Sequence, residues 1–349
     1  MLTLACTVLA AGEHQTLTRV RDEAGQERTI QSVADWELRR AQIRKGLEAV
    51  MGPFPDVSKL PALDVQILEE TTVGQLRRQK LSYRSDAEDR VTAILFLPIP
   101  QQPASKPERR PAILCLHQTT GIGKEEPAGM GGNPHLHYAL ELAKRGYVTL
   151  APDYPSFGEH PYDFAASHRY VSGTMKAIVD NVRAVDLLQT LPEVDPARIG
   201  CVGHSLGGHN TLFTSFFEPR IKVLASSCGY TRFHRYYEGK LAGWTSPRYM
   251  PRIAEVYGNH ADRVPFDFPE IIAGVAPRPF FSNSPLHDSN FDVQGVKETE
   301  EAVRPIYALY GERENLIVEY PDAQHDFPDE VRERCYEFFD RHLNWKPVR

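Results

Sequence analysis

Apolar and polar positions along this chain follow two periods, and the changes of period mark out its elements. From Asp35 to Val50, Trp36, Leu38, Ile43, Leu47 and Val50 recur at helical spacing, and Gly52-Pro53 ends the run. An amphipathic helix is predicted there, with Arg39-Arg40 and Arg44-Lys45 on its solvated face. A proline-rich link, Pro53 to Pro61, leads to Leu63–Glu70, Leu76–Tyr83 and Val91–Leu97, which alternate apolar and polar residues as half-exposed strands do. Past a polar, proline-rich loop (98–111), Ala112–Leu116 is continuously apolar, the pattern of a strand buried on both faces. Tyr147–Leu150, Arg198–Val202, Lys222–Ser226, Phe280–Phe281 and Leu316–Tyr320 read as further buried strands. Helical patterns separate them at Leu136–Arg145, Gly173–Leu191, Leu206–Phe217 and Pro269–Val275, and a last helix, Asp329–Leu343, closes the chain. Alternating strand and helix predicts an α/β fold: a mostly parallel, doubly wound sheet of about eight strands with helices on both faces. The expected organisation is an N-terminal segment, 1–60, bearing the first helix, and one large domain over 61–349, interrupted by an excursion at 229–266. No internal repeat is visible.

One strand-to-helix junction carries candidate chemistry. Ile199-Gly200-Cys201-Val202 leads into Gly203-His204-Ser205-Leu206-Gly207-Gly208, and a helical pattern follows. This is the setting of a nucleophile elbow, where a serine sits at the tip of a strained turn. The flanking glycines have a steric reason, because side chains two residues either side of the serine would collide. A serine of this kind needs a base and an orienting acid, supplied later in the chain in the order Ser, Asp or Glu, His. His325, in the loop between the last strand and the last helix, fits the base. Asp288, in the loop after Phe280–Phe281, fits the acid, with Asp292 in reserve. Asp292 also suits the start of the next helix, where a carboxylate meets the positive end of the dipole. Asp322 stands too close to His325 in the chain to orient it and reads as a turn residue.

With these residues in view, the chain resembles the α/β-hydrolases, and within them the dienelactone hydrolase-like and acetyl xylan esterase-like branch. The resemblance rests on Leu116-His117-Gln118-Thr119-Thr120-Gly121, Ala151-Pro152-Asp153-Tyr154, Asp195-Pro196-Ala197-Arg198-Ile199-Gly200, the elbow, and His325-Asp326-Phe327, spanning roughly residues 75 to 345. Dienelactone hydrolases proper carry a cysteine where this chain has Ser205, a departure that favours ordinary esters over lactones. The resemblance implies an oxyanion hole made by the Leu206 N–H and by an N–H of the loop after Cys115, that of Thr119 or of Gln118. It implies a serine carboxylic-ester hydrolase working through an acyl-enzyme, on short-acyl or carbohydrate-linked esters. A prolyl-oligopeptidase-like peptidase, a lactonase and a noncatalytic scaffold are the alternatives.

Composition narrows the partners. A net charge of -6 gives no basic surface for nucleic acid, and no apolar run is long enough to span a bilayer. The five cysteines have neither CxxC nor zinc-ligand spacing, so neither metal, cofactor nor disulfide framework is expected. Met1 to Ala11 is apolar and ends in Ala10-Ala11-Gly12; it reads either as the tail of a secretory signal lacking its basic start or as a frayed N-terminus.

Other residues near the motifs have structural readings. His204 is expected to point away from the nucleophile, His117 and Asp153 to hold loops, and His287 to lie in the pocket or on the surface. The excursion 229–266 holds Tyr230, Phe233, Tyr236, Tyr237, Trp244, Tyr249 and Tyr257 with Arg232, Arg235, Arg248 and Arg252. It is expected over the crevice at the C-terminal edge of the sheet, where aromatics with arginines suit a polar ester, or else packed on the body. The loop Gly121 to Pro134 flanks the oxyanion region and is expected to narrow the acyl pocket.

Overall fold

The structure, a computed structural model, describes residues 16–22, 24–100, 108–167 and 169–347; the apolar segment 1–11 and Cys6 lie outside them. A two-stranded ribbon, β1 (Arg19–Arg21) with β2 (Glu27–Thr29), precedes helix α1 (Val33–Met51). Strands β3 (Gln66–Val73), β4 (Leu76–Arg84), β5 (Arg90–Pro98) and β6 (Arg110–Leu116) come next, then α2 (Tyr138–Lys144), β7 (Val148–Pro152), α3 (Gly173–Thr190) and β8 (Val194–His204). After α4 (Leu206–Phe217) and β9 (Ile221–Ser227) the excursion holds only short helical turns and α5 (Arg252–Glu255). The chain closes with α6 (Phe268–Val275), β10 (Phe280–Asn283), α7 (Val293–Leu309), β11 (Leu316–Glu319) and α8 (Asp329–His342).

Strands β3 to β11 make one nine-stranded sheet in the order β11-β10-β9-β8-β6-β7-β5-β4-β3. The run from β11 to β7 is parallel, and β5, β4 and β3 join antiparallel at the other edge. The period-2 alternation of β6 feeds two cores. Ala112, Leu114 and Leu116 join one with residues of α1, α3, α4, α6 and α7, while Ile113 and Cys115 join the other with Tyr138 and Leu142 of α2 and Phe338 and Phe339 of α8. Helices therefore cover both faces, as the strand–helix alternation predicts. This is the α/β-hydrolase architecture.

Two expectations change. Every residue of β3 is exposed rather than every second one. It pairs with β4 alone, and a register shift between Ile67 and Glu69 breaks its alternation. On α1, Arg39 is buried rather than solvated, with Nη2 at 2.8 Å from Glu270 Oε1 on α6. The guanidiniums of Arg40 and Arg44 lie over the rings of Phe216 and Phe217. Only Arg39 departs from the expected solvated face, because α6 covers it; Arg40 is half-buried, and Arg44 and Lys45 are exposed as expected.

Candidate active site

Ser205 occupies the single-residue junction between β8 and α4, with φ 53 and ψ -116. That is strained for a residue with a Cβ, and the surroundings enforce it. Ser205 N donates to Ser227 O at 2.8 Å, and the chain turns so tightly that a Cβ on Gly203 would lie 2.2 Å from the backbone of Gly207. A Cβ on Gly207 would lie 1.8 Å from Leu116 O at the end of β6. The glycines two residues before and after the serine are thus required by contact, with each other and with the neighbouring strand.

The remaining candidate residues also follow the C-terminal ends of parallel strands, where open α/β sheets bind ligands. Asp288 lies in the loop after β10 and His325 in the loop after β11. Beyond the strand ends these loops stay zipped: Ser284 N donates to Glu319 O, Leu286 N to Pro321 O and His287 N to Ala323 O. The zip brings His325 Nδ1 to 2.9 Å from Asp288 Oδ2. The other carboxylate oxygen accepts from Asn290 N and Phe291 N at 2.8 and 3.1 Å. Burial alone would raise the Asp288 carboxyl, but His325 and the two backbone N–H groups outweigh it and hold the pKa below the usual carboxylate value. The rings of His204 and Phe291 flank His325 at centroid distances of 4.8 and 6.0 Å.

Asp292, the reserve acid, instead caps α7, with Oδ1 accepting from Gln294 N at 2.7 Å. Asp322 is exposed and pairs with His287, which settles that histidine on the surface. His204 bonds Ser227 Oγ through Nδ1 and is held at about 3 by burial and by the neighbouring His325. His117 spends both ring nitrogens on backbone, on Gln118 O and on Tyr154 N. Asp153 accepts from Thr92 Oγ1, Lys124 N, Lys124 Nζ and Glu159 N.

A cleft of about 170 Å³ opens at the serine, lined by Thr119, Ser205, Leu206, His209, Tyr236, Gly243, Trp244, Tyr249, Asn290 and Phe291. The excursion splits in two. Tyr236, Trp244 and Tyr249 form a wall of the cleft, whereas Tyr230, Phe233 and Tyr257 are buried in the core. Its arginines do not line the cleft: Arg232 pairs with Asp267, Arg235 with Glu298, Arg248 with Ser156 and Arg252 with Ala49 O. The loop 121–134 does not narrow it either. Lys124 is buried against Asp153 and Glu159, and Glu125 pairs with Arg78, so ion pairs draw the loop toward β4 and β7. At its end Asn133, and just beyond it His135, bond the carboxylate of Asp326, the residue after His325. His209, Asn290 and Phe291 also line the cleft, and in the sequence only the i+4 spacing of His209 from Ser205 on one helix points to such a place.

Among the described residues two triplets have ligand-type atoms close enough for a metal ion. In Asp89, His160 and Asp180 the ammonium of Lys176 already bonds both carboxylates. In His204, Cys228 and His325 each side chain is bonded elsewhere: to Ser227, to Asp326 O and to Asp288 respectively. The four described cysteines are buried and free.

Comparison with known proteins agrees with this architecture. The chain is 26% identical over 321 residues to YtaP of Bacillus subtilis (strain 168), named as a hydrolase, covering 87% of this chain and 100% of that protein. It is 27% identical over 346 residues to 4-O-methyl-glucuronoyl methylesterase 1 of Wolfiporia cocos (strain MD-104), covering 90% and 78%. The fold is shared with a glucuronoyl esterase from Solibacter usitatus at a TM-score of 0.74 and 16% identity, covering 95% of this chain and 97% of the other. Residues 134–346, more than half of the chain, match the prolyl oligopeptidase family, and the chain belongs to that family.

Proposed function

We propose that this protein is a serine carboxylic-ester hydrolase in which Ser205, His325 and Asp288 act as a triad. The observation that carries the reading is the arrangement of the site. A serine on a strained elbow opens into the same cleft as Phe291, whose ring lies on the imidazole that Asp288 holds. Ser205 Oγ attacks the ester carbonyl carbon while His325 takes its proton. Asp288 fixes the imidazole tautomer and stabilises the imidazolium. Negative charge gathers on the carbonyl oxygen, and backbone N–H donors placed there lower the barrier by about 3 kcal/mol each. Leu206 N–H, at the start of α4, is one donor; Thr119, which lines the cleft beside Ser205, supplies the other. His325 returns the proton to the departing alcohol, and water then cleaves the acyl-enzyme. The relatives include esterases of carbohydrate acids, and an aromatic-walled cleft suits a small or sugar-linked ester.

Family membership also brings a peptidase reading, and the test separates the two. Hydrolysis of p-nitrophenyl esters from acetate to laurate is measured for wild type and Ser205→Ala, beside anilides of the same acyl groups. Turnover of short esters, its loss in the variant and inert anilides support the proposal. Anilide turnover matching the esters would transfer the site to the peptidase reading.

A further inference from the structure

Two polar groups in the wall of the cleft have no partner. His209 lies one helical turn beyond Ser205 on α4, is 1% exposed, and neither of its ring nitrogens makes a hydrogen bond. Trp244 stacks on that imidazole at 4.8 Å with 19° between the planes, and its Nε1 also lacks an acceptor. Both side chains line the cleft at Ser205. Buried polar groups are normally paired, and the other two histidines buried at this site are: His117 by backbone, His204 by Ser227. His209 instead sits among the rings of Phe213, Trp244 and Phe268.

The chemistry of the missing partner follows from the inventory. A neutral imidazole offers one donor and one acceptor, and the indole one donor. A carboxylate partner could only accept, and an alkyl group could do neither. A hydroxyl can do both. The rings of Tyr236, Tyr249 and Phe291, which line the same cleft, complete an aromatic surface suited to the C–H face of a ring whose edge carries hydroxyls.

We propose that His209 and Trp244 form a hydroxyl-recognition subsite that selects esters of a sugar ring. The ring lies against the aromatic wall with a hydroxyl bonded to the imidazole and the indole N–H. The inference rests on the esterase reading above, and its test keeps the two failures apart. Wild type, His209→Phe, His209→Leu and Trp244→Phe are assayed on two matched pairs. One pair is the methyl ester of a hexuronic acid against methyl cyclohexanecarboxylate; the other is a monoacetylated hexoside against cyclohexyl acetate. p-Nitrophenyl acetate turnover reports the esterase itself, and thermal melting reports folding.

The expected result is a wild-type preference of about tenfold or more in kcat/KM for the hydroxylated member of at least one pair. That ratio falls about tenfold in both His209 variants and by a smaller factor in Trp244→Phe, with the melting temperature of His209→Phe not lowered. Wild type that turns over p-nitrophenyl acetate yet shows no preference in either pair overturns the inference and spares the esterase reading. Folded His209 variants that keep the wild-type ratio overturn it as well. Loss of p-nitrophenyl acetate turnover in wild type removes both.

Discussion

Replacing His209 by phenylalanine should change how stability depends on pH, with a sign and size that follow from the site. Burial holds the imidazole neutral, with its pKa lowered from 6.5 to about 3. In the unfolded chain the same ring takes a proton near its ordinary value, so the unfolded state binds more protons as the pH falls below 6.5. The native state is therefore favoured fully above that value and loses this contribution progressively down to about 3. At pH 5 the deficit is about 1.5 pH units at about 1.4 kcal/mol each, or about 2 kcal/mol. Phenylalanine cannot titrate, keeps the stacking on Trp244 and Phe213, and removes two unpartnered nitrogens. At pH 7 the variant should be at least as stable as wild type, because an unsatisfied buried polar group costs about 1–3 kcal/mol. Urea unfolding of both proteins at pH 7 and pH 5 supplies the four free energies. Wild type should lose about 2 kcal/mol more than the variant between the two conditions. Equal losses would mean that His209 is solvated or paired in solution, and the reasoning about its environment would fail.

Other outcomes follow from the same geometry. Asp288→Asn should lower kcat by about 10³–10⁴-fold with little change in KM, since the imidazole loses its orienting carboxylate; steady-state kinetics on p-nitrophenyl acetate measures this. Asp292→Ala should leave that rate unchanged and cost about 1 kcal/mol in urea unfolding, through loss of the α7 cap alone. Gly207→Ala drives a Cβ to 1.8 Å from Leu116 O, and because backbone cannot step aside the expected result is a loss of about 3 kcal/mol or more in unfolding or no soluble protein. Arg39→Ala leaves Glu270 buried without its partner and should cost about 3–5 kcal/mol, read by urea unfolding, which a solvated arginine would not.

Legibility from the sequence followed the range of the interactions involved. Continuous apolar runs and helical spacing place β6 to β10 and α1, α3, α4 and α8 within a few residues, because burial on both faces or on one stripe writes itself directly into local pattern; β11 is placed as well, but at the sheet edge only its Leu316 is buried, not the whole strand as its apolar run suggests. The elbow is equally local: Gly203 and Gly207 are required by contacts within one turn of chain and the adjoining strand. Pairings between distant segments are not written that way. Arg39 reads as a surface residue until α6 is seen to cover it with Glu270, 231 positions later. The acidic and basic residues of 121–134 look available for a pocket, yet Asp153, Glu159 and Arg78 claim them. The four arginines of the excursion are tied up in the same way. His209 is hidden for a related reason, since an apolar-packed histidine inside a buried helix has no sequence mark beyond its spacing from Ser205.

Everything proposed for this site turns on Ser205 as the nucleophile. The most direct test is reaction of the folded protein with a fluorophosphonate, followed by intact-mass measurement and peptide mapping. A nucleophilic Ser205 gives one adduct per chain, on Ser205, that forms at a rate parallel to ester turnover and is absent in Ser205→Ala. An unlabelled Ser205 in a protein that still hydrolyses esters, or an adduct on another residue, would contradict it.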